Sequence, residues 1–141
     1  MVDLILDEAQ QKGTGKWTSQ NALDLGAPIP TIHAALVGRT ISALKSERVV
    51  ASKILSGPGT AFNGGREKVL LAAENALFAS KIISYAQGMG LLKLASEEYG
   101  YNLNLGEIAK IWRAGCIIRA SLLTEIMAAY QREPELQNLM L

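Results

Sequence analysis

From Val69 to Leu92 the chain carries only two charged side chains, Glu74 and Lys81, and apolar residues fall on nearly every side of a helical turn. A helix that is apolar all round must be surrounded by protein or by lipid. Lipid is the poorer match, because several of Glu74, Asn75, Lys81 and Gln87 would sit deep in hydrocarbon. The run is therefore expected to be a buried helix from about Arg66 to Glu98, and no membrane is expected as a partner. Gly88 and Gly90 lie inside it and each costs about 1 kcal/mol of helix stability relative to Ala, so they mark a bend or a close helix crossing. The 141 residues suffice for one domain, yet a small bundle has more surface than core and rarely holds so apolar a helix alone. A homodimer or a missing neighbouring domain is the expected cover.

Helical periodicity dominates the rest of the chain and strand signals are nearly absent. The expected fold class is all-α, a helical bundle built round the long central helix, with residues 1–141 forming a single domain. A short amphipathic helix is expected from Val2 to Gln11, ended by Gly13, and a second from Thr18 to Leu25, stopped by Gly26-Ala27-Pro28. A third opens near Pro30 or Thr31 and runs toward Leu55, where Gly57-Pro58-Gly59 breaks it; Thr60 to Gly65 reads as a loop. Beyond Tyr99-Gly100-Tyr101 the pattern predicts helices from about Leu105 through Arg113 and from about Cys116 to Tyr130. The tail from Glu133-Pro134 stops on Leu139-Met140-Leu141 as though the chain continued.

With 14 basic and 13 acidic side chains the net charge is +1, so there is no broad positive field of the kind nucleic acid requires. Any anion site must be local. One cysteine, Cys116, excludes an internal disulfide and supplies no pair of metal ligands. Asp3 stands where a signal peptide would carry base, and no cleavage pattern follows, so a cytoplasmic protein is expected.

The local candidate is Lys12-Gly13-Thr14-Gly15-Lys16-Trp17, with a helix-start signal at Thr18 behind it. Glycines let backbone N–H groups turn inward, and a following helix N-terminus adds partial positive charge, which suits a phosphate or carboxylate. Two nucleotide loops fail on spacing: Gln10 and Trp17 stand where a Walker loop needs Gly and Ser or Thr, and Thr18 where a dinucleotide loop needs its third Gly. A turn with solvated lysines is the competing reading. Arg39, on the third helix, could give a bidentate contact to the same anion or make an ion pair at the edge of the core; no sequence spacing ties it to Lys12.

Other chemistry has little to work with. His33 is the only histidine and reads as packed or surface-lying, and Cys116 among Ile117 and Ile118 reads as an inert thiol. Glu97-Glu98 and Asp7-Glu8 are sequence neighbours that do not share a helix face, so paired-carboxylate catalysis has no support. Arg113 and Arg119 are expected in structural ion pairs, and Trp17 and Trp112 as packing anchors. No catalytic, cofactor-binding or metal-ligating residue is expected.

The string from Lys12 to Thr18, then Ala22-Leu23, Gly26, Arg39, Ser42 to Lys45, Arg48 and Ala51-Ser52-Lys53, closely resembles 6-phosphogluconate dehydrogenase, decarboxylating. Lys81 to Gly88, Ala95 to Tyr99 and Gly106 to Ala120 continue the match in one register over nearly the whole chain. The resemblance implies a piece of that family's large all-helical, dimer-forming domain. It implies a parent with an N-terminal Rossmann domain for NADP, absent from this chain, and a catalytic lysine and glutamate upstream of Val2. A tail beyond Leu141 would complete the partner subunit's site. No cofactor is expected to bind the piece itself.

Carried over by position, Lys12, Thr14 and Arg39 match the family's ligands for the phosphate of 6-phosphogluconate, with Lys12 and Arg39 as charge clamps and Thr14 as a hydroxyl or backbone donor. Lys16 shares the motif without a carried-over role, nearby carboxylates being its alternative partners. The implied parent activity is NADP-dependent oxidation of the substrate alcohol to a 3-keto acid and decarboxylation to ribulose 5-phosphate, in the pentose phosphate pathway and gluconate utilization. The alternative is a non-catalytic helical module for dimerisation or phosphosugar binding.

Overall fold

A computed structural model describes residues 1–57, 59 and 64–141; of the expected breaker and loop, Pro58 and Thr60 to Asn63 lie outside the described residues. Among the described residues there are six α-helices and no strand: α1 Thr14–Asp24, α2 Pro30–Ser42, α3 Lys45–Ala51, α4 Arg66–Tyr99, α5 Leu105–Ile111 and α6 Leu122–Arg132. The all-α expectation holds.

The C-terminal half of α4 is the post on which the rest is built. One face sends Tyr85 and Met89 into a core with Ala109 of α5 and Leu123, Ile126 and Tyr130 of α6. Another face places Leu91 against Ala22, Ala27 and Ile29 of the α1–α2 hairpin. That hairpin closes on a Schellman end: Ala27 N–H reaches the Ala22 carbonyl at 2.7 Å and Gly26 N–H the Leu23 carbonyl at 3.2 Å, with Gly26 at φ 66°. Ile29 cannot cap α2, and a side chain from α4 does so instead. Gln87 Oε1 accepts from Thr31 N–H at 3.0 Å and Ile32 N–H at 3.4 Å, while Gln87 Nε2 donates to Thr31 Oγ1 at 2.9 Å.

The N-terminal half of α4 departs from the buried helix expected. Leu70, Leu71, Leu77 and Phe78 are 56 to 72% exposed, and burial along α4 begins only after Lys81. Nor do Gly88 and Gly90 mark a close crossing: α4 runs unbroken through both, and a Cβ at either would meet nothing within 4 Å.

Three more boundaries differ. The helix expected over Val2 to Gln11 is a 3-10 turn at Val2–Leu4 followed by a non-helical segment. Its peptide groups bond across space instead, Ala9 N–H to Ser42 Oγ at 2.9 Å and the Asp7 carbonyl to Arg48 Nη2 at 2.8 Å. The third helix is interrupted at Ala43-Leu44, where Arg48 Nη2 takes the Ser42 carbonyl at 3.0 Å, the acceptor that a continuing helix would need. The helix expected from Cys116 begins only at Leu122; turns precede it, with Gly115 at φ 69° and the Ile118 carbonyl accepting the Tyr85 hydroxyl.

Candidate functional site

Gly13 sits at φ 112°, a conformation open to glycine, and its carbonyl accepts Trp17 N–H at 2.9 Å. That bond starts α1 at Thr14, four residues before the expected Thr18, so Thr14, Gly15 and Lys16 form a helical first turn rather than a loop. Their N–H groups precede the i→i−4 ladder and face out of the positive end of the helix dipole. Trp17 is 62% exposed and serves less as a core anchor than as a cover for Gly13, where a Cβ would come within 3.4 Å of the indole. A Cβ on Gly15 would stand 3.3 Å from Leu36 Cδ1, so glycine lets the start of α1 lie close against α2.

Arg39 lies in the last turn of α2. Its Nε donates to the Gln10 carbonyl at 2.9 Å and its Nη2 donates to the same oxygen. The fold thus supplies the link that spacing did not, bringing Arg39 to the segment that ends in Lys12. Two nitrogens of the fork are spent on Gln10, and Nη1 has no partner among the described residues. The Lys12 and Thr14 side chains are exposed and make no hydrogen bond among the described residues. Lys16 has no carboxylate partner among them either: the described ion pairs are Arg48 with Asp7 and Lys110 with Glu107, each at 3.0 Å.

Two residues that sequence reasoning missed complete the surroundings. Arg48 Nη1 meets Asp7 Oδ2 at 3.0 Å across 41 positions of sequence, a pairing that no local spacing could signal. The hydrogen bond from Arg48, reinforced by its charge, holds the Asp7 carboxyl below the usual carboxylate range. Ser42 accepts Ala9 N–H, so Asp7, Ala9 and Gln10 are all fastened to the α2–α3 corner.

The remaining candidates lie elsewhere. His33 Nδ1 is 3.3 Å from Ser19 Oγ, joining α2 to α1, and Cys116 Sγ donates to the Trp112 carbonyl at 3.0 Å. Arg113 and Arg119 line an open hollow of about 590 Å³ without the ion pairs expected of them among the described residues. No group of His, Cys, Asp or Glu there is arranged to hold a metal.

Residues 1–141 match the family profile described as 6-phosphogluconate dehydrogenase, C-terminal domain. The NADP(+)-dependent decarboxylating 6-phosphogluconate dehydrogenase of Bacillus subtilis strain 168 is 58% identical over 142 residues, spanning 100% of this chain and 30% of that protein. The decarboxylating 6-phosphogluconate dehydrogenase of Escherichia coli K12 is 55% identical over 141 residues, again 100% of this chain and 30% of the relative. Among solved structures, Plasmodium falciparum 6-phosphogluconate dehydrogenase, studied in apo form and with NADP+ or 6-phosphogluconate, superposes with a TM-score of 0.89. It is 47% identical over 99% of this chain and 30% of its own. The chain spans about 30% of the length of these relatives. With every residue inside the profile and more than half of them shared with enzymes of that name, the chain belongs to the 6-phosphogluconate dehydrogenase family through its C-terminal domain.

Proposed function

We propose that this chain is the phosphate-binding and subunit-pairing portion of an NADP-dependent, cytoplasmic 6-phosphogluconate dehydrogenase, and a piece of that enzyme's larger helical domain. The carrying observation is Arg39, fastened through Nε and Nη2 to the Gln10 carbonyl beside the N-terminal turn of α1. The phosphate of 6-phosphogluconate sits between the Lys12 ammonium and Arg39 Nη1, with Thr14 giving its hydroxyl or backbone N–H. Holding the phosphate orients the sugar acid for oxidation and decarboxylation by groups that this chain does not carry.

The turn from Lys12 to Trp17 does not fit the diphosphate of NADP as a dinucleotide loop would. The Gly13 turn follows no strand, and Thr18 fills the place of the third fingerprint glycine. No step of hydride transfer is therefore assigned to this chain. The exposed half of α4 is the face that a second subunit or the remaining domains cover.

Thermal-shift titration with 6-phosphogluconate and with inorganic phosphate tests the reading. Arg39→Ala is expected to weaken binding roughly tenfold or more, and Lys16→Ala much less, because charge-assisted hydrogen bonds contribute about 1.5–3 kcal/mol. Equal losses, or no stabilisation at millimolar ligand, would count against the clamp. The isolated chain should form no NADPH.

A further inference from the structure

We infer that Arg48 and Ser42 are positioning residues for the phosphate end of the substrate, acting through Asp7, Ala9 and Gln10 on Arg39; the inference rests on the proposed phosphate clamp. The geometry is a relay of short bonds. Arg48 grips Asp7 twice, at Oδ2 (3.0 Å) and at the carbonyl (2.8 Å). Ser42 Oγ accepts Ala9 N–H at 2.9 Å, and its own carbonyl accepts Arg48 Nη2 at 3.0 Å. The residue after Ala9 is Gln10, whose carbonyl sets the Arg39 fork.

The segment from Asp7 to Gln10 has no helix or strand of its own, so no backbone ladder holds it. Its register depends on these polar bonds. If the segment is released, the Gln10 carbonyl no longer fixes the Arg39 guanidinium, and the arginine must be ordered by the ligand at the ligand's expense. Neither Arg48 nor Ser42 needs to touch the phosphate.

The test uses the complete polypeptide that carries this chain, with 6-phosphogluconate turnover measured for Ser42→Ala, Arg48→Ala, Arg39→Ala and the double variants with Arg39→Ala. Ser42→Ala and Arg48→Ala are expected to raise KM roughly tenfold with kcat nearly unchanged, the size of one or two lost hydrogen bonds. In the Arg39→Ala background the same changes should add less than about twofold, since what they position is already gone. Ser42→Thr, which keeps the hydroxyl, should restore most of the affinity. Full additivity with Arg39→Ala overturns the relay, and so does a normal KM in Ser42→Ala. Should Arg48→Ala fail to fold, the Ser42 series decides alone. An Arg39→Ala enzyme with normal KM instead sinks the clamp on which the relay rests.

Discussion

Arg39 has a fixed guanidinium because a backbone carbonyl, not a carboxylate, receives two of its nitrogens. A lysine could reach the same oxygen with one donor but would lose the fork, so Arg39→Lys should cost roughly tenfold in phosphate affinity despite keeping the charge. Titration calorimetry with inorganic phosphate would register the loss. Asp7 allows a test by pH. Arg48 favours its charged form, so its contribution is fully present above the ordinary carboxylate value and is lost as pH falls through the lower value of the folded state. An NMR titration should find the Asp7 carboxyl returned to the ordinary range in Arg48→Ala. At this scale the sequence offered residue types without their pairings. Lys12, Thr14 and Arg39 stood out by charge and by resemblance, whereas Arg48 with Asp7 and Arg39 with Gln10 join positions 41 and 29 apart and leave no local trace.

The helices themselves depend on single contacts whose signs can be separated. A Cβ on Gly106 would stand 3.2 Å from Asn104 Oδ1, the oxygen that caps α5 by accepting Glu107 N–H at 3.0 Å, and 3.4 Å from Tyr130 Cβ. Gly106→Ala should therefore lower stability by about 1 kcal/mol or more, since disturbing the cap and the α5–α6 contact outweighs the gain in helix propensity. Gly88→Ala should raise it by up to about 1 kcal/mol, because α4 leaves open space there. Denaturant midpoints for the two variants should move in opposite directions. Gln87→Leu strands the Thr31 and Ile32 N–H groups and should cost about 1–3 kcal/mol by the same measurement. The span of α4 was legible from composition almost to the residue, and so were the start of α2 at Pro30 and the stop of α1 at Gly26. The segment before Lys12 and the break at Ala43-Leu44 were not, because long-range side-chain bonds to backbone displaced the helical pattern there.

The molecule as a whole is lopsided. Its two cores share the C-terminal half of α4, while Leu70, Leu71, Leu77 and Phe78 face outward from the other half. An apolar face of that kind promotes association. Sedimentation of the isolated chain should reveal self-association, and Leu77→Glu with Phe78→Glu should reduce it strongly. The apolar composition of that run did forecast a need for cover, but not that the need would be confined to one half of the helix. The capping of α2 by Gln87 reaches further still, into the order of synthesis. α2 carries Arg39, yet its N-terminus stays uncapped until a side chain 56 positions beyond Thr31 has been made and docked. At roughly 5–20 residues per second, Arg39 leaves the ribosome seconds before its helix can be completed.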